Sequence, residues 1–308
     1  MTRLVLDRPP LASIARAERR FAWSLAALVA CAALAPSRAA ASPWTPAPGH
    51  GYAKLWMKWL PGFGYHDGRG ETTEYGAYHE VFLSAFGDVG LAPGLALSLH
   101  APLVQTFVLG DPRPGGEGTR AFVGPGDPTL SLRWRFLARG RFVAAVDAGL
   151  RVPLATARPQ ATVYAATDGQ PAIGTLQIGS GVFAVPLGLS AGYGWDRLYL
   201  AASAQYVART GGWDDVLAWS AELGGQLSRT LSGRVRVVGW HDLVRGDAPR
   251  TESPSGINNG TRYVGFGLEG EYALTPTWWL GASVEGGLGA IRRQTGGPVL
   301  SLFVATRY

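Results

Sequence analysis

From residue 51 to the C-terminus, apolar and polar side chains trade places at every second residue, again and again. The stretch PTLSLRWRFLARGRFVAAVDAGLRVP (128–153) shows the pattern clearly. Leu130, Leu132, Trp134 and Phe136 share one parity; Thr129, Ser131, Arg133 and Arg135 share the other. After a short polar break, Phe142, Ala144, Val146, Ala148, Leu150 and Val152 alternate with Val143, Ala145, Asp147, Gly149 and Arg151. A repeat of two residues is the signature of a strand with one apolar face, and two such runs joined by a tight break make a hairpin. A soluble sheet covers its apolar face with more protein. What covers this one depends on how the strands connect.

The pattern recurs about twelve times, predicting strands near 51–60, 76–87, 94–104, 127–137, 141–154, 177–192, 198–208, 215–227, 231–241, 262–272, 278–288 and 299–308. Five connections are short: 88–93, 138–141, 193–197, 227–230 and 273–277. Longer Gly- and Pro-rich segments alternate with them. An even number of strands with strictly alternating short and long connections is the pattern of an up-and-down transmembrane β-barrel. A soluble sandwich or lipocalin has no reason to sort its loops this way. The fold class expected is therefore all-β, a membrane-spanning antiparallel barrel of about twelve strands.

Composition agrees. The chain is 47% hydrophobic but only 16% charged, with 43 glycines in 308 residues. Outside the first 41 residues no run approaches the ~20 apolar residues of a membrane helix, so the apolar content is spread over strands. Residues 1–41 read as a signal peptide: a basic start, the apolar run FAWSLAALVACAALA and a small-residue site, Ala39-Ala40-Ala41. Cys31 in Leu28-Val29-Ala30-Cys31 offers a competing lipoprotein site. Residues 42–308 form the expected barrel domain. The whole chain has 28 basic and 22 acidic residues; six arginines and two acids leave with the leader, so 22 against 20 gives a mature net charge of +2. That balance offers no footing for nucleic acid. The one cysteine lies in the leader, so a closed backbone ladder rather than disulfides must hold the exported chain.

Aromatics bracket the short connections: Phe86; Trp134, Phe136 and Phe142; Tyr193, Trp195 and Tyr199; Tyr272, Trp278 and Trp279. A belt at one membrane interface is expected from them. The last strand, PVLSLFVATRY, places Leu300, Leu302, Val304 and Tyr308 on one parity. A terminal aromatic closing an alternating strand resembles the signal read by the barrel-assembly machinery, an expected partner. Both termini are expected in the periplasm, with the barrel in the cell outer membrane and its lipid as the surrounding partner.

GPGDPTLSLRWRFL and QIGSGVFAVPLGLSAGYGWDRLYL resemble the outer-membrane transporter family named for the meta-pathway of phenol degradation, the MetA-type β-barrel. The matching residues are Gly124, Gly126, Asp127, Arg133, Trp134 and Arg135, then Gly179 and Gly181. The resemblance implies passive passage of small molecules, hydrophobic or aromatic ones among them. It brings no catalytic residues.

Twelve strands about 4.8 Å apart and tilted near 40° close a backbone cylinder roughly 24 Å across. Side chains narrow it to about 10 Å, enough for a small-molecule solute. The candidate lining residues are the charges on the inward parity: Arg133, Arg135, Asp147, Arg151, Glu222, Arg234, Arg236, Glu269, Glu271 and Glu285. Arg133 and Arg135 could oppose Glu269 and Glu271 across the lumen and select solutes through a transverse field. The favoured expectation is instead a local zipper of Glu222, Arg234, Arg236, Glu269 and Glu271, because unpaired charges in a narrow lumen are costly. Asp147 and Arg151 are expected to pair with each other.

An enzyme of this architecture would need a Ser–His pair held by a third polar residue. Among His50, His66, His79, His100 and His241, only Ser98 with His100 comes close, and that parity reads as lumenal wall. His241-Asp242 reads as an incidental pair of neighbours. No metal or cofactor motif is present. A closed structural or adhesive barrel stays open as a third class.

Overall fold

The computed structural model describes residues 43–62, 64–73, 78–110, 119–155, 161–164, 171–176, 178–243, 260–292 and 294–308. Residues 1–42, with the expected leader and its Cys31 site, lie outside the described residues.

Twelve strands close into one antiparallel sheet. They are β1 (Gly51–Gly62), β2 (Tyr78–Ala92), β3 (Leu95–Gly110), β4 (Thr129–Arg139), β5 (Phe142–Arg151), β6 (Ala184–Gly194), β7 (Leu198–Arg209), β8 (Asp215–Gln226), β9 (Leu231–Leu243), β10 (Arg262–Ala273), β11 (Trp278–Arg292) and β12 (Val299–Arg307). Each pairs with its neighbours in sequence, and β12 pairs back onto β1. The seam is completed by Gly51 and Tyr308, whose backbones exchange hydrogen bonds of 3.0 and 3.2 Å. Gly51 is needed there, since a Cβ would lie 2.2 Å from the Asp88 carbonyl. Closure gives each of the twelve strands a partner on both sides, so their backbones pair within the sheet, as strands in hydrocarbon must. Among the described residues no helix is long and apolar enough to cross a membrane.

The two parities separate as the alternation predicts. The outer face carries Leu55, Met57, Leu132, Trp134, Leu189, Leu280 and Leu302, with Trp134 57% and Leu302 61% exposed. The inner face carries serine, glycine, aromatic and charged side chains. Of the expected belt, Trp134, Phe136, Phe142, Tyr193, Trp195, Tyr272 and Trp278 are on the outside. Phe86, Tyr199 and Trp279 are not: Phe86 and Tyr199 line the lumen, and Trp279 packs beneath Arg307. The sequence-based reading grouped aromatics by nearness to a turn, but parity decides which side of the wall each occupies.

Strand ends moved where loops intervene. The expected strand at 177–192 begins only at Ala184, because Gly179 and Gly181 take positive φ values of 65° and 63°. Left-handed backbone cannot continue a ladder. At the first hairpin the expected turn at 88–93 is strand as far as Ala92, so Asp88 points into the barrel.

The long-loop end carries further structure. Thr119–Gly124 extends the pairing of β3, and Gly64–His66 pairs with Thr72–Thr73 and with Gln294–Gly296. Leu60, Tyr65, Tyr78, Phe107 and Ile178 form an apolar cluster there. Asp127 ties the loops together: Oδ1 accepts from the backbone N–H groups of Leu154 and Ala155 (3.1 and 2.9 Å). Its Oδ2 accepts from Ser180 N–H and hydroxyl and from Gly181 N–H (2.7, 2.9 and 3.0 Å).

The short-turn end is crossed by a strap, residues 43–50. Gly49 and His50 bond the backbone of Gly90 on β2 at 2.9 Å each. The Trp44 ring lies against Gly192 on β6 and edge-on to Tyr199 on β7, 5.7 Å between centroids. Gly90 and Gly192 are four strands apart in a ring of twelve, so the strap runs as a chord inside the mouth.

Candidate functional site

The inner faces of the strands enclose a cavity of about 400 Å³. It lies nearer the short turns and is lined by β1, β2, β4 and the wall from β7 to β12. Its chemistry follows from which residues fall on the inward parity.

On the β7–β12 wall the charges form cross-strand ladders. Lys54 on β1 donates to both carboxylate oxygens of Glu269 on β10, at 3.0 Å each. Glu269 also accepts from Arg234 on β9, which reaches Glu222 on β8 at 3.8 Å. Tyr199 on β7 then donates its hydroxyl to Glu222 at 2.5 Å. Lys54 spans the gap from β1 to β10 because the intervening inward residues lie low. Phe303 is packed flat over Gly281, where a Cβ would lie 2.1 Å from its ring, and the Lys54 ammonium rests 3.5 Å above that ring. The pairing replaces water lost around each charge with an opposite charge, which a narrow lumen requires.

Nearer the long loops, Lys58 and Arg236 both donate to Oε1 of Glu285, at 3.3 and 2.9 Å. Nearer the short turns, Arg307 lies 3.7 Å from Glu271 and stacks 4.2 Å from the Trp279 ring. Ser232 completes that group with a 3.5 Å bond to Glu271. Across the barrel, Arg133 Nε donates to Asp147 Oδ1 at 2.7 Å, and Asp88 accepts from the Tyr52 N–H at 3.0 Å.

Of the ten candidate residues, Arg133, Glu222, Arg234, Arg236, Glu269, Glu271 and Glu285 line the cavity. Asp147, Arg151 and Arg135 do not. The expected Asp147–Arg151 pair is corrected: Asp147 pairs with Arg133, directly opposite in the β4–β5 register, and Arg151 donates to Thr129 Oγ1 at 3.3 Å. Residues four apart on one strand are separated by about 13 Å, whereas directly opposed partners stand about 5 Å apart. Arg135 sits beside the irregularity between Trp134 and Leu137, with its N–H bonded to the Gly94 carbonyl at 2.7 Å. Arg133 and Glu269 do not face each other as free charges, since each has a nearer partner.

The sequence-based set missed Lys54, Lys58, Tyr52, Trp56, Phe86, Tyr199 and Arg307. The signal was present in GYAKLWMKWLPG, where Tyr52, Lys54, Trp56 and Lys58 alternate with Leu55, Met57 and Trp59. Applying the inside–outside rule to the first and last strands would have found all but Phe86 and Tyr199, which the turn-centred grouping hid.

No hydrolytic couple assembles from the candidates. Asp242 faces inward and pairs with Arg209 at 2.8 Å, their side chains 0% and 3% exposed. His241, adjacent on the strand, points to the opposite side. His100 stacks on Trp56, 5.5 Å between centroids and 7° between planes. Among the described residues no group of three or more His, Cys, Asp or Glu could hold a metal ion.

No protein-family model and no curated protein matches the chain. Solved structures do. The chain is similar to an outer membrane channel from Pseudomonas putida F1, with a TM-score of 0.57 and 12% identity over 88% of this chain and 100% of that one. Weaker likenesses include the KdgM porin (TM-score 0.47, 7% identity, 83% of this chain and 99% of that one). The CymD monoaromatic hydrocarbon channel is another (TM-score 0.43, 10% identity, 85% and 89%). At these identities the first likeness establishes architecture: the chain has the fold of a membrane-spanning outer-membrane β-barrel.

Proposed function

We propose that the protein is an exported outer-membrane channel through which small molecules pass passively, allied to the meta-pathway transporter family that its Gly124–Asp127 and Gly179–Gly181 motifs resemble. The observation that carries this reading is the inversion of the wall. Apolar side chains face outward from a closed sheet, and ionic and aromatic side chains face an internal cavity of about 400 Å³. That volume falls within the roughly 300–1,000 Å³ of small-molecule sites. The paired wall carries no large surplus of either sign, which suits uncharged or singly charged solutes better than polyions.

In this reading residues 1–41 direct export, the short turns and the strap face the periplasm, and the Tyr308 end of β12 is offered to the barrel-assembly machinery. The test is reconstitution of the refolded mature chain in planar bilayers. Discrete single-channel steps are expected. A folded barrel that carries no current at any voltage overturns the channel reading, and esterase activity on lipid substrates would move the protein to the enzyme class.

A further inference from the structure

Among the described residues most cations of the cavity wall have a carboxylate of their own or share two. Lys54 and Arg234 share Glu269 and Glu222, Arg307 has Glu271, and Arg133 has Asp147. Lys58 and Arg236, however, share the single carboxylate of Glu285. Among the described residues this group is one negative charge short. It is also the most open ion group of the cavity wall: the side chains of Lys58, Arg236 and Glu285 are 28%, 36% and 26% exposed, against 12% and 10% for Lys54 and Glu269. Lys54 is further engaged by the Phe303 ring, whereas no ring engages Lys58 among the described residues.

Beside this surplus lies a flat aromatic surface. Trp56 is two residues before Lys58 on the same inward parity, about 7 Å along the strand, and stacks nearly parallel on His100 of β3. On β2, between the strands that carry them, Ser84 stands in register with Trp56 and is too small to cover its ring, while Phe86 stands in register with His100. His100 is exposed beside Trp56, outside the lining of the 400 Å³ cavity itself.

We infer that Lys58 and Arg236, together with the Trp56–His100 stack, form a lumenal subsite for an aromatic monocarboxylate. The solute's carboxylate supplies the missing negative charge between the two cations, and its ring lies against the stack. One surplus charge matches a monoanion; a dianion would leave the group negative. Charge-assisted hydrogen bonds and ring stacking each add to what either half of the solute gains alone. The assignment deepens the channel reading and rests on it.

Benzoate binding to the refolded barrel in detergent, measured by calorimetry, tests it, with acetate as the carboxylate without a ring and benzyl alcohol as the ring without a charge. Benzoate is expected to bind at least about tenfold tighter than either. Lys58→Gln leaves Glu285 paired with Arg236, and Arg236→Gln leaves it paired with Lys58, so neither strands a charge. Each is expected to weaken benzoate roughly tenfold and to leave benzyl alcohol unaffected. Trp56→Leu is expected to bring benzoate down to the level of acetate. Benzoate binding no tighter than acetate, or unchanged in both glutamine variants, overturns the subsite. A barrel that conducts but fails these comparisons loses only the subsite; one that passes them but carries no current loses the channel reading.

Discussion

Asp127 and Ser180, 53 residues apart in the chain, meet through two hydrogen bonds to one carboxylate oxygen. Three further backbone N–H groups, from Leu154, Ala155 and Gly181, converge on the same side chain. The two stretches that carry the family resemblance therefore form a single fastening at the long-loop end. Gly179 is part of it: with φ at 65° and a would-be Cβ 2.2 Å from that of Ala155, it admits no side chain. Asp127→Ala is expected to lower stability by about 3 kcal/mol, since it strands several buried donors at once. Urea titration of the barrel in lipid vesicles would measure this, and a loss under about 0.5 kcal/mol, the size of an ordinary surface substitution, would refute the fastening role.

The Arg133–Asp147 pair is partly buried and direct at 2.7 Å, with side-chain exposures of 14% and 13%. Arg133→Ala and Asp147→Ala are each expected to destabilise the barrel by about 2–3 kcal/mol, because each leaves a lone lumenal charge. The double variant is expected to cost much less than the sum of the two. A strictly additive cycle would mean that the pair is incidental.

These two cases also measure what the sequence made legible. The alternation located twelve strands and their faces because its period of two is a direct consequence of the pleat. It also placed Arg133 and Asp147 on inward faces. It did not tell which strand register set them opposite each other, nor that Asp127 would reach a serine in another loop. Those facts depend on contacts between segments far apart in the chain, which one sequence does not encode locally. Lys54 and Arg307 were legible on the same grounds: Lys54 alternates with Leu55 and Met57 on the first strand, and Arg307 falls on the parity opposite Leu300, Leu302 and Val304 on the last.

Ion selectivity should follow the ladders rather than any single residue. In the native wall Glu269 neutralises Lys54 and shares Arg234 with Glu222. Glu269→Gln removes one negative charge while leaving the side chain's shape, so the channel is expected to shift toward anions. Reversal potentials in a potassium chloride gradient give the measurement. A shift toward cations, or none, would show that ions do not pass along this wall.

The strap offers a separate handle on conductance. At Gly192 a Cβ would lie 2.5 Å from the Trp44 ring, so Gly192→Ala is expected to push the indole off its seat without touching any ion pair. Trp44→Ala should act in the same direction. Both are expected to raise single-channel conductance over the native protein while selectivity stays unchanged. Equal conductance in all three would mean that the chord across the mouth does not limit current.

The strap's anchors also bear on the order in which the molecule forms. Gly90 belongs to the second strand, and Gly192 and Tyr199 to the sixth and seventh; the two ends of the strap can be seated together only once the strands between these anchors have curled into an arc. Residues 43–50 precede every strand in the chain, yet they can span these anchors only after the first seven are in place. A stretch synthesised before the barrel thus fastens onto strands made well after it.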